Sequence, residues 1–254
     1  MKTETQDRYA LEPAIKKPTI PTISPIIIRG PKAPRFLEDF NKIVDKKYCR
    51  NKNLKVFVLK KINGIITLIN SNPLVLPVVQ TLVPTRRVNR PEDIQKTLND
   101  GDTLGIYGNH CIDFGIVLDF SRQHNELARD LFRQLPGRLR NLDNLPAVVI
   151  GYDIRNSSKG DYGLSFTFPK GAELRHSPTL TKNSGNFDDI DVSLETGLPT
   201  KLGNGERNLY TASQERPSED ALGISRFYLS GNLNLLAYNK DLAGSFAGGL
   251  VVLF

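Results

Sequence analysis

Six of the chain's 16 prolines fall within its first 34 residues, at Pro13, Pro18, Pro21, Pro25, Pro31 and Pro34. Each lacks a backbone N–H and fixes φ, so neither a helix nor a central strand can run through the segment. Residues 1–34 therefore read as an extended arm. Just after Pro34, residues Phe36, Leu37, Phe40, Ile43 and Val44 repeat with helical spacing. A helix is expected there, opening near proline, where a missing donor costs least.

The positive charge is gathered in the first quarter of the chain. Residues 1–61 hold 15 Lys+Arg against 6 Asp+Glu, whereas the other 193 hold 19 against 21, so the body is close to neutral. A local excess of this kind suits nucleic acid or an acidic partner, and it equally suits a solvated arm that keeps the chain soluble. With 39% apolar and 24% charged residues the chain is not wholly disordered. No apolar run approaches the roughly 18 residues that a membrane span needs. The start, MKTETQDRYALEP, has no apolar core of a secretory signal. Cys49 and Cys111 stand far apart, which builds neither a disulfide framework nor a zinc site. The expectation is a cytoplasmic protein with reduced thiols.

Periodicity divides the rest into a mixed α/β region, 35–145, and a β-rich region, 146–254. Asn63-Gly64 lies between two β-type runs and predicts a tight hairpin. Pro73, Pro77 and Pro84 suggest an edge strand or extended loop over residues 74–83. A short helix is expected from Pro91 to about Asn99, then strands near 103–107 and 111–120. Ser121 is expected to cap a helix with Leu127, Ala128, Leu131, Phe132 and Leu135 inward. In the rear, residues 147–154 and 162–168 are expected to pair. Residues 169–217 show little periodicity, and strands return at 224–229, 232–238 and 250–254. The fold class is thus α+β: a front with a hairpin and two or three helices, and an antiparallel rear.

Catalytic signatures are near misses. Ala243-Gly244-Ser245-Phe246-Ala247 resembles a nucleophile elbow, but no histidine follows it. His110, Cys111 and Asp113 crowd together, yet neighbours on a strand face opposite sides. Asp188, Asp189, Asp191 and Glu195 offer hard oxygens that could hold a divalent cation, with Asp153 and Asp161 as further ligands. A metal-dependent hydrolase or nuclease is one alternative on that basis, and binding through the basic first quarter is another. No organic cofactor is implied.

The tail, GISRFYLSGNLNLLAYNKDLAGSFAGGLVVLF over residues 223–254, places Asn, Tyr, Ser, Asp and Gly at intervals in an apolar frame. The frame is Leu229, Leu233, Leu235, Leu242, Ala243, Val251 and Val252. The displayed positions are Tyr228, Asn232, Asn234, Tyr238, Asn239, Asp241 and Phe246. In this the tail resembles those of variable proteins, the targets of diversity-generating retroelements. The resemblance implies a C-type-lectin-like domain and a non-enzymatic role in binding a protein or other ligand. The alternation supports such a division independently, since one side of a strand can hold the core while the other meets solvent. Tyr, Asn, Ser and Gly also make adaptable contact surfaces.

Overall fold

The computed structural model describes residues 31–48, 58–62, 65–69, 71–160, 162–181, 187–203, 205, 207–238, 241–244 and 249–254. The Pro-rich arm up to residue 30, the Asn63-Gly64 turn, Cys49 and Asp161 lie outside them. In chain order the elements are α1 (Lys32–Tyr48), β1 (Val58–Ile62), β2 (Ile65–Ile69), α2 (Val75–Leu82), α3 (Pro91–Asn99), β3 (Cys111–Asp119) and α4 (Asn125–Gln134). There follow β4 (Ala147–Ile150), β5 (Asp153–Asn156), β6 (Leu164–Thr167), β7 (Glu173–His176), β8 (Asp188–Val192) and β9 (Pro199–Leu202). The last four are β10 (Arg207–Thr211), β11 (Gly223–Leu229), β12 (Leu235–Ala237) and β13 (Gly249–Leu250). The fold is α+β.

One large, curled, mixed sheet organises these elements, in the order β1-β2-β13-β3-β11-β12-β10-β8-β9. β4 joins it on β3, and β7 pairs with β4. The sheet thus draws strands from both the 35–145 and the 146–254 regions. Most neighbours are antiparallel, but β10 runs parallel to β12 and β13 parallel to β3.

Each face of the central strands has its own core. The outer face packs Ile116, Leu118, Val149 and Ile224 against α1, α2, α4 and the separate β5–β6 hairpin. The inner face gathers Ile112, Phe114, Val117, Phe227, Leu229, Leu235 and Leu209 with Ile94 of α3 and Ile106. As the sheet curls, β9 meets the 3-10 turn Pro178–Thr181 that follows β7. An ion-pair network of Arg90, Glu92, Glu173 and Arg175 fixes α3 to β7 beside this inner core.

A bulge in β3 decides which way its first residues point. Phe227 stands opposite Gly115, but the next residue, Tyr228, stands opposite Asp113, so Phe114 is the extra residue. The insertion puts Ile112 and Phe114 inward and turns Asp113 outward. Gly115 has φ +133°, and a Cβ there would lie 2.9 Å from a ring carbon of Tyr152. Only glycine fits this point of the strand.

Several expectations are corrected. Residues 74–83 contain α2, capped by Leu74 and Val83, because Pro77 sits in the first helical turn, where amides have no intrahelical partner, and Pro84 follows the end. The buried Asn72 side chain accepts the amides of Leu74 and Val75 at 3.0 Å. Residues 103–107 are a turn held by the Asp102 carboxylate, which accepts the Ile106 and Tyr107 amides at 2.7 and 2.9 Å. α4 starts at Asn125, since the Ser121 hydroxyl is engaged by Asp119 at 2.6 Å. Its inward set, Leu127 through Leu135, is buried as expected. The run 147–154 breaks at Gly151, so β4 enters the large sheet while β5 pairs with β6. Residues 169–217 contain β7, β8, β9 and β10.

Candidate functional site: an aromatic and amide sheet face

Strand alternation past β11 turns a set of polar and aromatic residues outward, beyond the reach of the helical layer. On β12, Leu235 and Ala237 join the inner core, which leaves Leu236 outward and Asn234 and Tyr238 flanking it on the same side. On β10, Leu209 is inward, leaving Asn208 and Tyr210 outward. Ile190 of β8 is inward, so Asp189 and Asp191 are outward and exposed, and Phe187 continues their side. Asn208, Tyr210, Asn234, Leu236 and Tyr238 are half-buried, and Phe187 is 55% exposed.

Register lines these residues up. Tyr210 stands opposite Leu236, Leu236 opposite Tyr228, and Tyr228 opposite Asp113, forming one row across four strands. The row extends to Phe187, whose ring centre is 5.4 Å from that of Tyr210. Tyr238 meets Tyr210 edge-on at 5.0 Å. Such spacings are those of favourable aromatic pairs. In the neighbouring row Asn208 lies opposite Asp189, and its amide donates to Asn234 at 3.4 Å.

The buried end of the row holds a charged anchor with no exposure to water. Arg226 donates through Nε and Nη2 to the Asp113 carboxylate. Nη2 and Nη1 also donate to the carbonyls of Ser71 and Gly244, both at 2.8 Å. Ser71 Oγ donates to the same carboxylate, and the Asn89 amide to the Asp113 carbonyl. Burial opposes the charge of Arg226, but the Asp113 carboxylate outweighs it and holds the guanidinium above its ordinary pKa. A buried ion pair persists only when its hydrogen bonds are satisfied in this way. The Arg226 guanidinium carbon lies 5.3 Å from the centre of the Tyr228 ring. Asp241 accepts from the Tyr162 hydroxyl at 2.8 Å and the Ala243 amide at 3.0 Å, which ties residues 241–244 to the loop of the β5–β6 hairpin.

The tail's proposed display set is only partly assembled. Tyr228 is a correction: at 7% exposure it is buried, because β11 is central and covered on both faces. Burial pushes its phenol up to about 12, against the pull of Arg226. Asn232 is exposed in the β11–β12 turn, Asn234 and Tyr238 lie on the outward face, and Asp241 is exposed beyond it. Asn239 and Phe246 lie outside the described residues. Of the frame, Leu229, Leu235, Leu242, Ala243, Val251 and Val252 are buried; Leu233 is half-buried with φ +64°.

The acidic group is also corrected. Residues 188–192 are a strand, so Asp188 points to the side opposite Asp189 and Asp191, and Glu195 lies in the following turn. Asp153 lies in β5, where its carboxylate accepts the Ile154 amide at 2.8 Å. Among the described residues no group of three His, Cys, Asp or Glu side chains could hold a metal ion. His110 is buried, and Cys111 shares the outer face with Asp113. Burial raises the Cys111 thiol, which disfavours the thiolate that nucleophilic chemistry needs.

Phe187, Asn208, Tyr210 and Leu236 were not among the residues expected at a site. The alternation in Arg207-Asn208-Leu209-Tyr210-Thr211 is a signal for the middle two, but five residues in a polar stretch are too few to establish a period. Among the described residues no helix is long and apolar enough to cross a membrane. No protein-family model, no curated protein and no solved structure matches the chain.

Proposed function

We propose that this chain is a non-enzymatic recognition protein whose binding face is the outward side of β8, β10 and β12. The observation that carries the reading is the chain of rings Phe187, Tyr210 and Tyr238, at 5.4 and 5.0 Å, on a stretch of sheet beside the helical layer. Tyrosine combines contact area with few rotatable bonds, and asparagine supplies adaptable donors and acceptors, a pairing typical of recognition surfaces. The resemblance of residues 223–254 to variable proteins of diversity-generating retroelements supports the same role. The buried anchor at the end of the row would keep the strands fixed while outward side chains change.

The test uses labelled full-length chain on arrays of peptides and oligosaccharides. Ligands found there are expected to be lost by Tyr210→Ala and by Tyr238→Ala, and kept by Arg133→Ala on α4. Retention of the same ligands by both tyrosine variants, with folding intact by circular dichroism, would reject the face as the binding site.

A further inference from the structure

The charges on this face narrow the kind of partner it fits. At the outward positions of β8, β9, β10 and β12 the described charged residues are Asp189, Asp191 and Lys201. Lys201 stands opposite Asp191 on the sheet's last strand. Neither Asp189 nor Asp191 makes an ion pair among the described residues, and both are exposed. Asp189 lies opposite Asn208, one outward position along from Tyr210. Diagonal neighbours of this kind are roughly 7–8 Å apart. A cation above the Tyr210 ring is therefore within reach of the Asp189 carboxylate.

The interior of the same row already shows a cation on a tyrosine, Arg226 at 5.3 Å from the Tyr228 ring. Among the described residues no cation lies over Phe187, Tyr210 or Tyr238. The faces of these rings carry negative π density that attracts Lys and Arg. A polyanion such as single-stranded nucleic acid could stack on the rings but would meet two carboxylates against one lysine.

We infer, resting on the recognition reading above, that the partner is a Lys- or Arg-bearing protein segment. Its cationic side chains sit over Tyr210 and its ring neighbours and beside Asp189 and Asp191. Rings supply contact and carboxylates supply the charge preference.

The experiment measures fluorescence anisotropy of the full-length chain with two labelled peptides of about twelve residues. One alternates Lys and Gly; the other alternates Gln and Gly. The lysine peptide is expected to bind at least about tenfold more tightly, and to weaken as salt rises from about 50 to about 300 mM. The double variant Asp189→Asn/Asp191→Asn is expected to lower its affinity about fivefold, and Tyr210→Ala about threefold. Equal binding of the two peptides, an unchanged affinity in the double asparagine variant, or no binding of the lysine peptide at millimolar concentration overturns the cationic partner. If Tyr210→Ala weakens both peptides while the asparagine variant changes neither, the recognition face stands and only its charge preference falls. If Tyr210→Ala changes nothing, the face itself is wrong and the inference goes with it.

Discussion

Arg226 and Asp113, on adjacent strands and both closed to solvent, form a two-bond ion pair that ties β11 and β3 to the Ser71 and Gly244 carbonyls. Removing one partner strands the other as a buried charge. Asp113→Asn and Arg226→Met are each expected to cost about 3–5 kcal/mol. In the double variant Asp113→Asn/Arg226→Met the loss should fall short of the two single losses added by at least about 2 kcal/mol. Urea unfolding of the four proteins measures this, and simple additivity would show that the two groups do not depend on each other.

Gly115 is what lets the bulge point Asp113 at Arg226. A methyl group there would press on Tyr152, 2.9 Å away, and on the Val149 carbonyl, 3.1 Å away, at a φ that side chains rarely adopt. Gly115→Ala is expected to destabilise by about 2–4 kcal/mol, more than a central-strand alanine would from propensity alone. A thermal midpoint within about 2 °C of the parent would contradict the crowding.

Leu235 and Leu236 are consecutive and face opposite ways. Leu235 is 1% exposed in the inner core, whereas Leu236 is half-buried on the outward face. Leu235→Ala should cost about 2–5 kcal/mol, and Leu236→Ala about 1 kcal/mol or less. The contrast in denaturant midpoints checks the register of β12, and a larger loss at Leu236 would invert the two faces.

Asp119 is buried beside Ser121 and Ser225, which donate to it at 2.6 and 2.5 Å. Burial dominates and raises its pKa above the ordinary aspartate value despite those bonds. The folded state therefore holds this proton to a higher pH than the unfolded chain does. Stability should fall as pH rises from the ordinary aspartate range through the raised folded value, then level off. Asp119→Asn should lack this fall. Unfolding free energies of the two proteins from about pH 3.5 to about pH 7 give the comparison, and parallel curves would deny the shift.

Much of the local structure is legible in the residues. The 3.6-residue spacing of Phe36 to Val44 and of Leu127 to Leu135 marks two amphipathic helices, and Pro91 opens a third. The run after Ile65 and the strand through Ile112 and Leu118 appear as β structure because short runs rich in β-branched residues lie between turn formers. α2 is misread because proline in a first turn looks the same in sequence as proline in an edge strand. Only the packing of Val75, Leu76, Val78 and Val79 selects the helix. Tyr228 is misread because alternation shows which side of a strand a residue takes, not whether that side is covered.

Alternating frames, helix faces and turn formers are properties of near neighbours, so the chain carries them wherever it folds. The row from Phe187 to Asp113 is of another kind. It joins residues more than 70 positions apart through a parallel pairing of β10 with β12 and a one-residue bulge in β3. Pairing order, register and the cover over each face arise from the collective fit of two hydrophobic cores. They turned one tyrosine of the tail into a buried partner for Arg226 and brought Tyr210, from a stretch with no clear period, to the surface beside Tyr238.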